Sequence, residues 1–417
     1  MADSVSEKDV EEIVTFISDN DDRVDILERI VEYEKNNPPS DTFKDKDVVD
    51  ESTWEVGKDV NMLPGYIGVF KNAPFTHVIF DSNTATVMCL DNLSAAEQAL
   101  QELEDEPDKW TDEWFEEQLG GNKIDEALDN VVVTDEKREE IREIVEDVDC
   151  LEYWSQYIAP TLKHRDDAKK IVLVILASPE DKNGTKGRVN MLAYGPPGTG
   201  KSVIKNYLVS EFDAESIDGP RVSKADITYN KSSGEFGQLP KAHRGLLVVE
   251  ESDEMDNAPL GAALTSLGES GKIEIRDREI PAEAQGVFLS NFDTVPHAID
   301  QWSKEAVNRF DFKVHFDRLD EELKDETIDW HYKYFRQPKP KENEDLLFTY
   351  LKMCRSHHPE IAEFEEISEF KSERVNEFTN IRQGLSVMNI AWIIARLNLD
   401  DVRLEHYKSA YELVKNN

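Results

Sequence analysis

The chain has 417 residues and carries 88 Asp and Glu against 48 Lys and Arg, which gives a formal net charge of −40. This charge excludes a basic protein that coats nucleic acid and a cationic protein that binds membrane surfaces. With 39% hydrophobic residues and seven Trp, the chain has enough apolar side chain for packed cores and is not disordered. The acids are spread along the whole sequence, as in proteins that stay soluble in molar salt, so we expect a cytoplasm of halophilic type.

The cysteines and apolar runs predict an intracellular protein without disulfides. The three cysteines, Cys89, Cys150 and Cys354, are too few for a disulfide framework or a four-thiolate zinc site, and we expect them to be buried or half-buried. The first residues, MADSVSEKDVEE, lack the basic and apolar regions of a secretory signal. The apolar run at residues 171–178, IVLVILAS, is too short to cross a bilayer. We therefore expect a cytoplasmic or nucleoid-associated protein that makes no membrane contact.

Residues 1–133 are predicted to form a small acidic α+β module. Apolar residues recur at helical spacing in EEIVTFI and DILERIVEYE, and β-like runs follow in GYIGVF and THVIFDSNTATVMCL. Helical spacing returns in AAEQALQELEDE and DEWFEEQLGG. The pattern does not identify a role: a structural or oligomerisation module and a module that binds nucleic acid or a partner protein both fit.

A second unit is predicted to begin near Thr134, whose hydroxyl is placed to cap the charged helix TDEKREEIREIVEDVD. Strand-like and helical runs then alternate up to about residue 315, which indicates a parallel α/β sheet. The sequence after residue 321 has helical patterns and few β signals. We therefore expect an α/β fold with a core at residues 134–320 and a helical lid at residues 321–417.

The sharpest motif is GPPGTGKS, which follows the apolar run MLAY and precedes the helical run VIKNYLVSEF. This is a phosphate-binding loop in its required setting between a strand and a helix. Its glycines let backbone N–H groups approach phosphate oxygens, the lysine reaches the β and γ phosphates, and the serine hydroxyl binds Mg²⁺. The predicted loop residues are Gly195, Pro196, Pro197, Gly198, Thr199, Gly200, Lys201 and Ser202.

Two acids follow a second apolar strand, in RGLLVVEESDEM. Glu250 is predicted to hold Mg²⁺ through water, and Glu251 to orient or deprotonate the attacking water. The alternative is that these acids have no role in so acidic a chain. Asn291 ends a third apolar run, GVFLS, where its side chain could face the γ-phosphate; an ordinary turn residue is the alternative.

Between these runs, residues 228–243 (TYNKSSGEFGQLPKAH) are expected to be a loop. The segment IEIRDREI alternates apolar and charged residues and predicts a β-hairpin whose tip carries Arg276, Asp277 and Arg278.

The order of these motifs resembles an AAA+ ATPase and, in detail, the minichromosome maintenance (MCM) replicative helicases, over about residues 134–415. Four stretches carry the resemblance. They are EDVDCLEYWSQYIAPTLKHRDDAKKIVLVILAS, GLLVVEESDEM, AVNRFDFKVHF and NIRQGLSVMNIAWIIARLNL.

The resemblance implies further site residues. Arg309 matches the arginine finger, which enters the neighbouring subunit's site, and Arg382 matches the sensor-2 arginine, which contacts nucleotide across the same boundary. Asn291 matches sensor 1. The hairpin from Lys272 to Ile280 matches the one that projects into a central channel and moves DNA, which makes Lys272, Arg276 and Arg278 the candidate DNA contacts.

The function implied is a ring-shaped ATPase, a hexamer in the family, that uses ATP and Mg²⁺ to translocate on or unwind DNA. The N-terminal module would then contact replication proteins. A remodelling or loading ATPase that acts on protein partners without unwinding DNA is a second hypothesis. A nucleotide-dependent structural protein with weak turnover is a third.

Some positions depart from the family pattern. Glu250 stands where the family has Asp, Gly200 where MCM proteins usually have Ala, and Asp277 where the hairpin Lys is expected. Residues 1–133 show neither the zinc-binding nor the OB-fold region of the family. The sequence therefore predicts a retained motor behind a different N-terminal module.

Overall fold

The structure is a computed structural model that describes most of the chain from residue 122 onward and shorter parts before it. The described residues are 7–17, 27–28, 31, 35, 73, 76–81, 86–90, 93–104, 122–179, 186–230, 235–275, 278–336, 341–374, 377 and 381–416. No helix in these ranges is both long and apolar enough to cross a membrane.

The helices and strands are numbered separately in chain order. The helices are α1 (Glu7–Ile17), α2 (Leu93–Glu104), α3 (Lys123–Asp129), α4 (Asp135–Asp147), α5 (Cys150–Ser155), α6 (Asp166–Ala177), α7 (Lys201–Phe212), α8 (Lys224–Ile227), α9 (Gln238–Lys241), α10 (Asn257–Thr265), α11 (Val295–Trp302), α12 (Lys304–Val307), α13 (Glu321–Arg336), α14 (Lys341–Ser356), α15 (Phe364–Arg374), α16 (Ile381–Leu397) and α17 (Leu404–Asn416). The strands are β1 (Thr76–Asp81), β2 (Thr86–Leu90), β3 (Met191–Tyr194), β4 (Glu215–Asp218), β5 (Tyr229–Asn230), β6 (Glu235–Phe236), β7 (Leu246–Glu250), β8 (Lys272–Ile275), β9 (Arg278–Pro281), β10 (Gln285–Ser290) and β11 (Phe312–His315). Short 3-10 turns cover Gly219–Arg221 and Ser252–Glu254, and a π-helical turn covers Ser266–Ser270.

The chain divides into two compact units, residues 1–114 with 230–235, and residues 115–229 with 236–417. In the first unit α1 packs against α2, and β1 pairs with β2 in an antiparallel hairpin. The predicted helices in EEIVTFI and AAEQALQELEDE and the predicted strands in THVIFDSNTATVMCL are thus confirmed. The predicted runs DILERIVEYE, GYIGVF and DEWFEEQLGG lie largely or wholly outside the described residues.

The second unit is built on a parallel sheet of five strands in the order β11, β3, β10, β7, β4. Met191 of β3 lies opposite Val287 of β10, and Val249 of β7 lies opposite Phe288 of the same strand. The four apolar residues at the start of β7 are completely buried, as expected for a central strand covered on both faces. The predicted parallel α/β core is confirmed. Because parallel strands all end at one edge, the loops after β3, β7 and β10 meet there.

The helical region after residue 321 packs on the core through α6. This helix carries IVLVILA, which is apolar all round, and it contacts α5, α14, α16 and β11. Trp154 of α5 stacks on Tyr350 of α14 with ring centroids 4.0 Å apart. Arg396 donates to the carbonyl of Ala177 at 3.0 Å and Arg355 donates to that of Leu176 at 3.0 Å, so two arginines of the C-terminal helical region satisfy the end of α6.

Three local predictions have clear outcomes. The Thr134 hydroxyl accepts from the N–H of Lys137 at 3.2 Å, which confirms the predicted cap of α4. Cys150 and Cys354 are buried and free, as expected. The loop predicted at residues 228–243 is wrong in part, because β5, β6 and α9 fall within it and the side chains of Leu239 and Pro240 are buried.

Candidate active site

The loop Gly195–Ser202 follows β3 at the carboxyl edge of the sheet and leads into α7 at Lys201. Gly195, Gly198 and Gly200 have φ values of 140°, 78° and 100°, which residues with a Cβ rarely adopt. These conformations turn the chain sharply between the strand and the helix. They bring the loop backbone to the N-terminus of a twelve-residue helix, where anions are stabilised.

Two of these glycines are also fixed by their surroundings. A Cβ on Gly195 would lie 2.4 Å from the carbonyl oxygen of Phe316, the residue after β11. A Cβ on Gly200 would lie 2.8 Å from Cδ1 of Leu162. The backbone of Phe316 therefore leaves no room for a side chain at position 195.

Lys201 is buried at the base of the loop, with 8% of the residue exposed. Its Nζ donates to the carbonyls of Gly195 at 2.6 Å and Pro196 at 2.9 Å. Burial lowers the pKa of this ammonium to about 8; Asp253 opposes the shift and Arg165 adds to it. The ammonium thus lies inside the loop, bound to carbonyls that a phosphate group could displace. Glycine backbone, a helix N-terminus and a buried lysine are the groups that bind a nucleoside triphosphate.

The predicted acids lie at the carboxyl end of β7, beside this loop. Glu250 forms an ion pair with Lys205 of α7, with Nζ and Oε2 2.5 Å apart and about a quarter of each side chain exposed. Glu251 is exposed and has a left-handed backbone, φ 45° and ψ 41°, which turns the chain directly after the strand. Ser202, the other predicted Mg²⁺ ligand, has an exposed side chain in the first turn of α7. The two predicted metal donors, the carboxylate of Glu250 and the hydroxyl of Ser202, are oxygen ligands, which fit a hard divalent cation.

Asp253 is a site residue that the sequence reasoning missed. Its Oδ1 accepts from the backbone N–H of Asn291 at 2.8 Å and from the hydroxyl of Ser290 at 3.3 Å. It also acts electrostatically on Lys201. Asp253 therefore joins the ends of β7 and β10 and fixes the backbone of Asn291. Its sequence signal was weak, since it is one more acid in EESDEM.

Arg165, directly before α6, was also missed. Its Nε donates to the carbonyl of Thr199 in the phosphate loop at 3.4 Å, and its guanidinium also donates to the carbonyl of Asp317. The guanidinium lies 5.2 Å from the centre of the Phe316 ring. It ties the loop to the segment after β11, a contact between residues far apart in sequence that no local pattern could indicate.

The two arginines assigned by resemblance meet on one carboxylate. Arg309 donates to Oε1 of Glu269 from NH2 at 3.3 Å and from Nε at 3.4 Å, and Arg382 donates to the same oxygen at 3.0 Å. Burial opposes ionisation of Glu269, but the two arginines outweigh it and hold its pKa below the usual range. Within the described residues, Arg309 pairs further only with Glu305, at 4.0 Å. Both arginines therefore lie together, bound to acids rather than to the phosphate loop of their own chain.

The predicted hairpin is confirmed as β8 and β9, with Ile273 opposite Ile280. Ile273, Ile275 and Ile280 are buried, and the opposite face carries the exposed residues Lys272, Glu274 and Glu279. On that face Glu274 lies opposite Glu279, and Lys272 is paired with Glu279. Of the other predicted DNA contacts, Arg276 at the tip lies outside the described residues, and so does the side chain of Arg278.

Comparison with known proteins agrees with this geometry. Residues 137–283 match the MCM P-loop domain. The chain is 24% identical over 321 residues to DNA replication licensing factor mcm7-B of Xenopus laevis. The matched region covers 67% of this chain and 44% of that protein. It is 24% identical over 331 residues to an uncharacterised MCM-type protein of Methanocaldococcus jannaschii, covering 67% of this chain and 43% of that one. DNA replication licensing factor MCM7 of Arabidopsis thaliana is 22% identical over 309 residues, covering 64% and 43%.

The chain thus spans less than half the length of these curated relatives. The family match contains the phosphate loop, β7 with its two acids, Glu269 and the β8–β9 hairpin, and the similarity to whole MCM proteins extends beyond it. Residues 137–283 therefore resemble an MCM P-loop domain, in a chain that is similar to MCM proteins over about two-thirds of its length at low identity.

Proposed function

We propose that the chain is an MCM-like AAA+ ATPase that hydrolyses ATP with Mg²⁺ at sites shared between neighbouring subunits of a ring, a hexamer by analogy with the family. One observation supports this proposal most directly: the phosphate loop is already formed, but the two arginines assigned to catalysis are bound to Glu269 and not to that loop. Lys201 lies in the loop, whereas Arg309 and Arg382 are gathered on Glu269. A site that takes its arginines from a neighbour works only in an assembly.

In the proposed site each group has a distinct role. The loop backbone and Lys201 bind the triphosphate, while Ser202 and Glu250 hold Mg²⁺, Glu250 through water. The ion supplies charge neutralisation on the phosphates when bound. Glu251 orients the attacking water and accepts its proton, and Asn291, fixed by Asp253, faces the γ-phosphate. Arg309 and Arg382 of the neighbouring subunit neutralise the charge that develops during transfer.

Two variants test the hydrolytic site. Lys201→Ala should abolish nucleotide binding and hydrolysis, because the loop loses its only predicted phosphate-binding ammonium. Glu251→Gln should abolish hydrolysis while nucleotide still binds, since the amide cannot accept a proton. Binding of a fluorescent ATP analogue and phosphate release would be measured on both. Robust turnover by the Glu251→Gln protein would show that another group is the base.

We further propose that ATP hydrolysis drives translocation on or unwinding of DNA through the ring's channel, with Lys272, Arg276 and Arg278 as the contacts. Net charge governs the outer surface, whereas a ring engages DNA through a few inward residues, so the charge of −40 does not exclude this. The Arg276→Ala/Arg278→Ala double variant should lose DNA-stimulated ATPase activity and strand displacement. Unchanged DNA dependence in that variant would eliminate the translocation proposal.

One observation favours the second hypothesis, a remodelling or loading ATPase that acts on protein partners. The described charged face of the hairpin carries Glu274 and Glu279, and its lysine, Lys272, forms an ion pair with Glu279. Such a face repels a phosphate backbone unless the arginines at the tip compensate. ATPase activity that is independent of DNA but stimulated by a replication protein would support this alternative.

We propose three parts for the chain: an N-terminal module at residues 1–133 that contacts replication proteins, a core at 134–320 and a lid at 321–417. We also propose that the protein works in a salt-rich cytoplasm. Acidic subunits repel one another most strongly where salt does not screen them. Assembly and activity should therefore fail in dilute buffer and recover in molar salt. Full activity of the oligomer at low ionic strength would contradict the halophilic setting.

A further inference from the structure

The contact between Glu269, Arg309 and Arg382 joins three separate parts of the second unit. Glu269 lies in the π-helical turn before the hairpin, Arg309 in the turn before β11, and Arg382 in the first turn of the lid helix α16. A single oxygen, Oε1 of Glu269, accepts from both guanidinium groups at 3.0 to 3.4 Å. The core arginine and the lid arginine are therefore linked through one side chain.

Charge explains why such a link is needed. Two guanidinium groups near one point repel each other, and an ionised carboxylate between them removes that repulsion. The Arg309 side chain is only 15% exposed, compared with 45% for Glu269 and 35% for Arg382. Arg309 is thus the more buried of the two arginines, and the Glu269 carboxylate holds Arg382 beside it.

The turn that carries Glu269 is fixed on the other side. Arg188 donates to the carbonyl of Ser266 at 3.1 Å, and the Asn190 side chain donates to that of Leu267 at 2.9 Å. A Cβ on Gly268 would lie 3.1 Å from three carbons of the Arg309 side chain, so the glycine lets the arginine stem lie against the turn. The turn that carries Glu269 is therefore held in place by hydrogen bonds and by packing against Arg309.

We propose that Glu269 is a positioning residue that holds Arg309 and Arg382 as one unit and presents both to the nucleotide of the neighbouring subunit. The inference rests on the proposed function and extends it, since it names a residue that acts through the two arginines. Because the same turn leads through Gly271 into β8, the arginine pair is also connected to the hairpin. Glu269 acts on turnover in the adjacent site and leaves nucleotide binding by its own subunit unchanged.

The first experiment compares Glu269→Ala and Glu269→Gln with the wild type in the full chain. Glu269→Ala should lower kcat about tenfold, because the arginines lose their common partner, while the affinity of the variant for a fluorescent ATP analogue stays the same. Glu269→Gln keeps an oxygen acceptor without the charge and should retain an intermediate rate. Glu143→Gln, an exposed acid on α4, is the matched control and should behave as wild type. An unchanged or raised kcat in Glu269→Ala would overturn the proposal.

The second experiment separates positioning from a structural role. Glu251→Gln subunits, which lack hydrolysis but keep their arginines, are mixed with Glu269→Ala subunits, which keep an intact phosphate loop. In a ring of heterologous contacts, an equal mixture forms productive pairs at about a quarter of its sites, so activity should rise above that of either variant alone. A mixture no more active than its parts would overturn the inference.

A parallel mixture of Glu251→Gln with Arg309→Ala subunits tests the shared site separately from the role of Glu269. If this mixture recovers activity and the Glu269 mixture does not, the shared site stands and the role of Glu269 is wrong. If neither recovers, the shared site itself is wrong.

Discussion

Gly200 is the loop position at which this chain departs from the usual MCM pattern, and its replacement by alanine gives a quantitative prediction. The residue has φ 100° and ψ 4°, outside the regions that alanine favours. Holding a residue with a Cβ in such a conformation costs about 1–3 kcal/mol. The contact of the new Cβ with Cδ1 of Leu162, at 2.8 Å, adds less, because that atom is the end of a side chain that can rotate.

The cost of Gly200→Ala must appear in one of two measurements. If the free loop relaxes, nucleotide binding must restore the strained conformation, and affinity falls by up to roughly 5- to 150-fold. If the loop does not relax, the free energy of unfolding falls by the same amount instead. Titration with a fluorescent ATP analogue and chemical unfolding should therefore show losses that together total about 1–3 kcal/mol.

Gly261→Ala is the matched control for this experiment. Gly261 lies inside α10, and a Cβ there would meet no atom within 4 Å apart from its chain neighbours and the nearby backbone of the same helix. Alanine in a helix interior stabilises by about 0.5–1 kcal/mol relative to glycine, so this variant should bind nucleotide normally and unfold slightly later. If Gly200→Ala leaves both affinity and stability unchanged, the positive φ at Gly200 and the reasoning built on it are refuted.

Three other predictions follow from contacts near the site and in the core. Because the pKa of Lys201 lies at about 8 and a bound triphosphate requires the charged form, affinity should fall about tenfold between roughly pH 7 and pH 9, and Lys201→Arg should lose this dependence. Lys205→Ala removes the cation that competes for Glu250 and should lower the Mg²⁺ concentration for half-maximal activity about two- to fivefold; an unchanged value would mean that Glu250 does not bind the metal. Trp154→Ala removes a fully buried ring stacked on Tyr350 and should cost about 3–5 kcal/mol of unfolding free energy; a loss below about 1 kcal/mol would contradict this packing.

Local patterns were enough to predict the sheet and the phosphate loop. The run before Glu250 is apolar at every position because β7 is buried on both faces, and the loop glycines have the positive φ values that their motif requires. In these cases the physical demand on each residue is visible in the sequence itself.

Contacts between distant residues could not be predicted in this way. Lys205 reaches Glu250 only because α7 packs against β7, and Arg165 reaches Thr199 across the loop. Glu269 looks like one more acid in a chain with 88 of them, and only the fold brings it to Arg309. The short helix α9 was not predicted, because Gly237 before it and Pro240 within it favour a loop, whereas the structure buries Leu239 and Pro240 in a helical turn.

The proposed catalytic site is assembled from two subunits, with Lys201 and Glu251 from one and Arg309 from the next. The most direct measurement is phosphate release by Glu251→Gln and Arg309→Ala subunits, separately and in an equal mixture, in molar salt. Each variant alone should be inactive, and the mixture should recover about a quarter of the wild-type rate, because only one of the four arrangements of neighbours joins an intact loop to an intact arginine. An inactive mixture, or a normal rate from Arg309→Ala alone, would contradict a site shared between subunits.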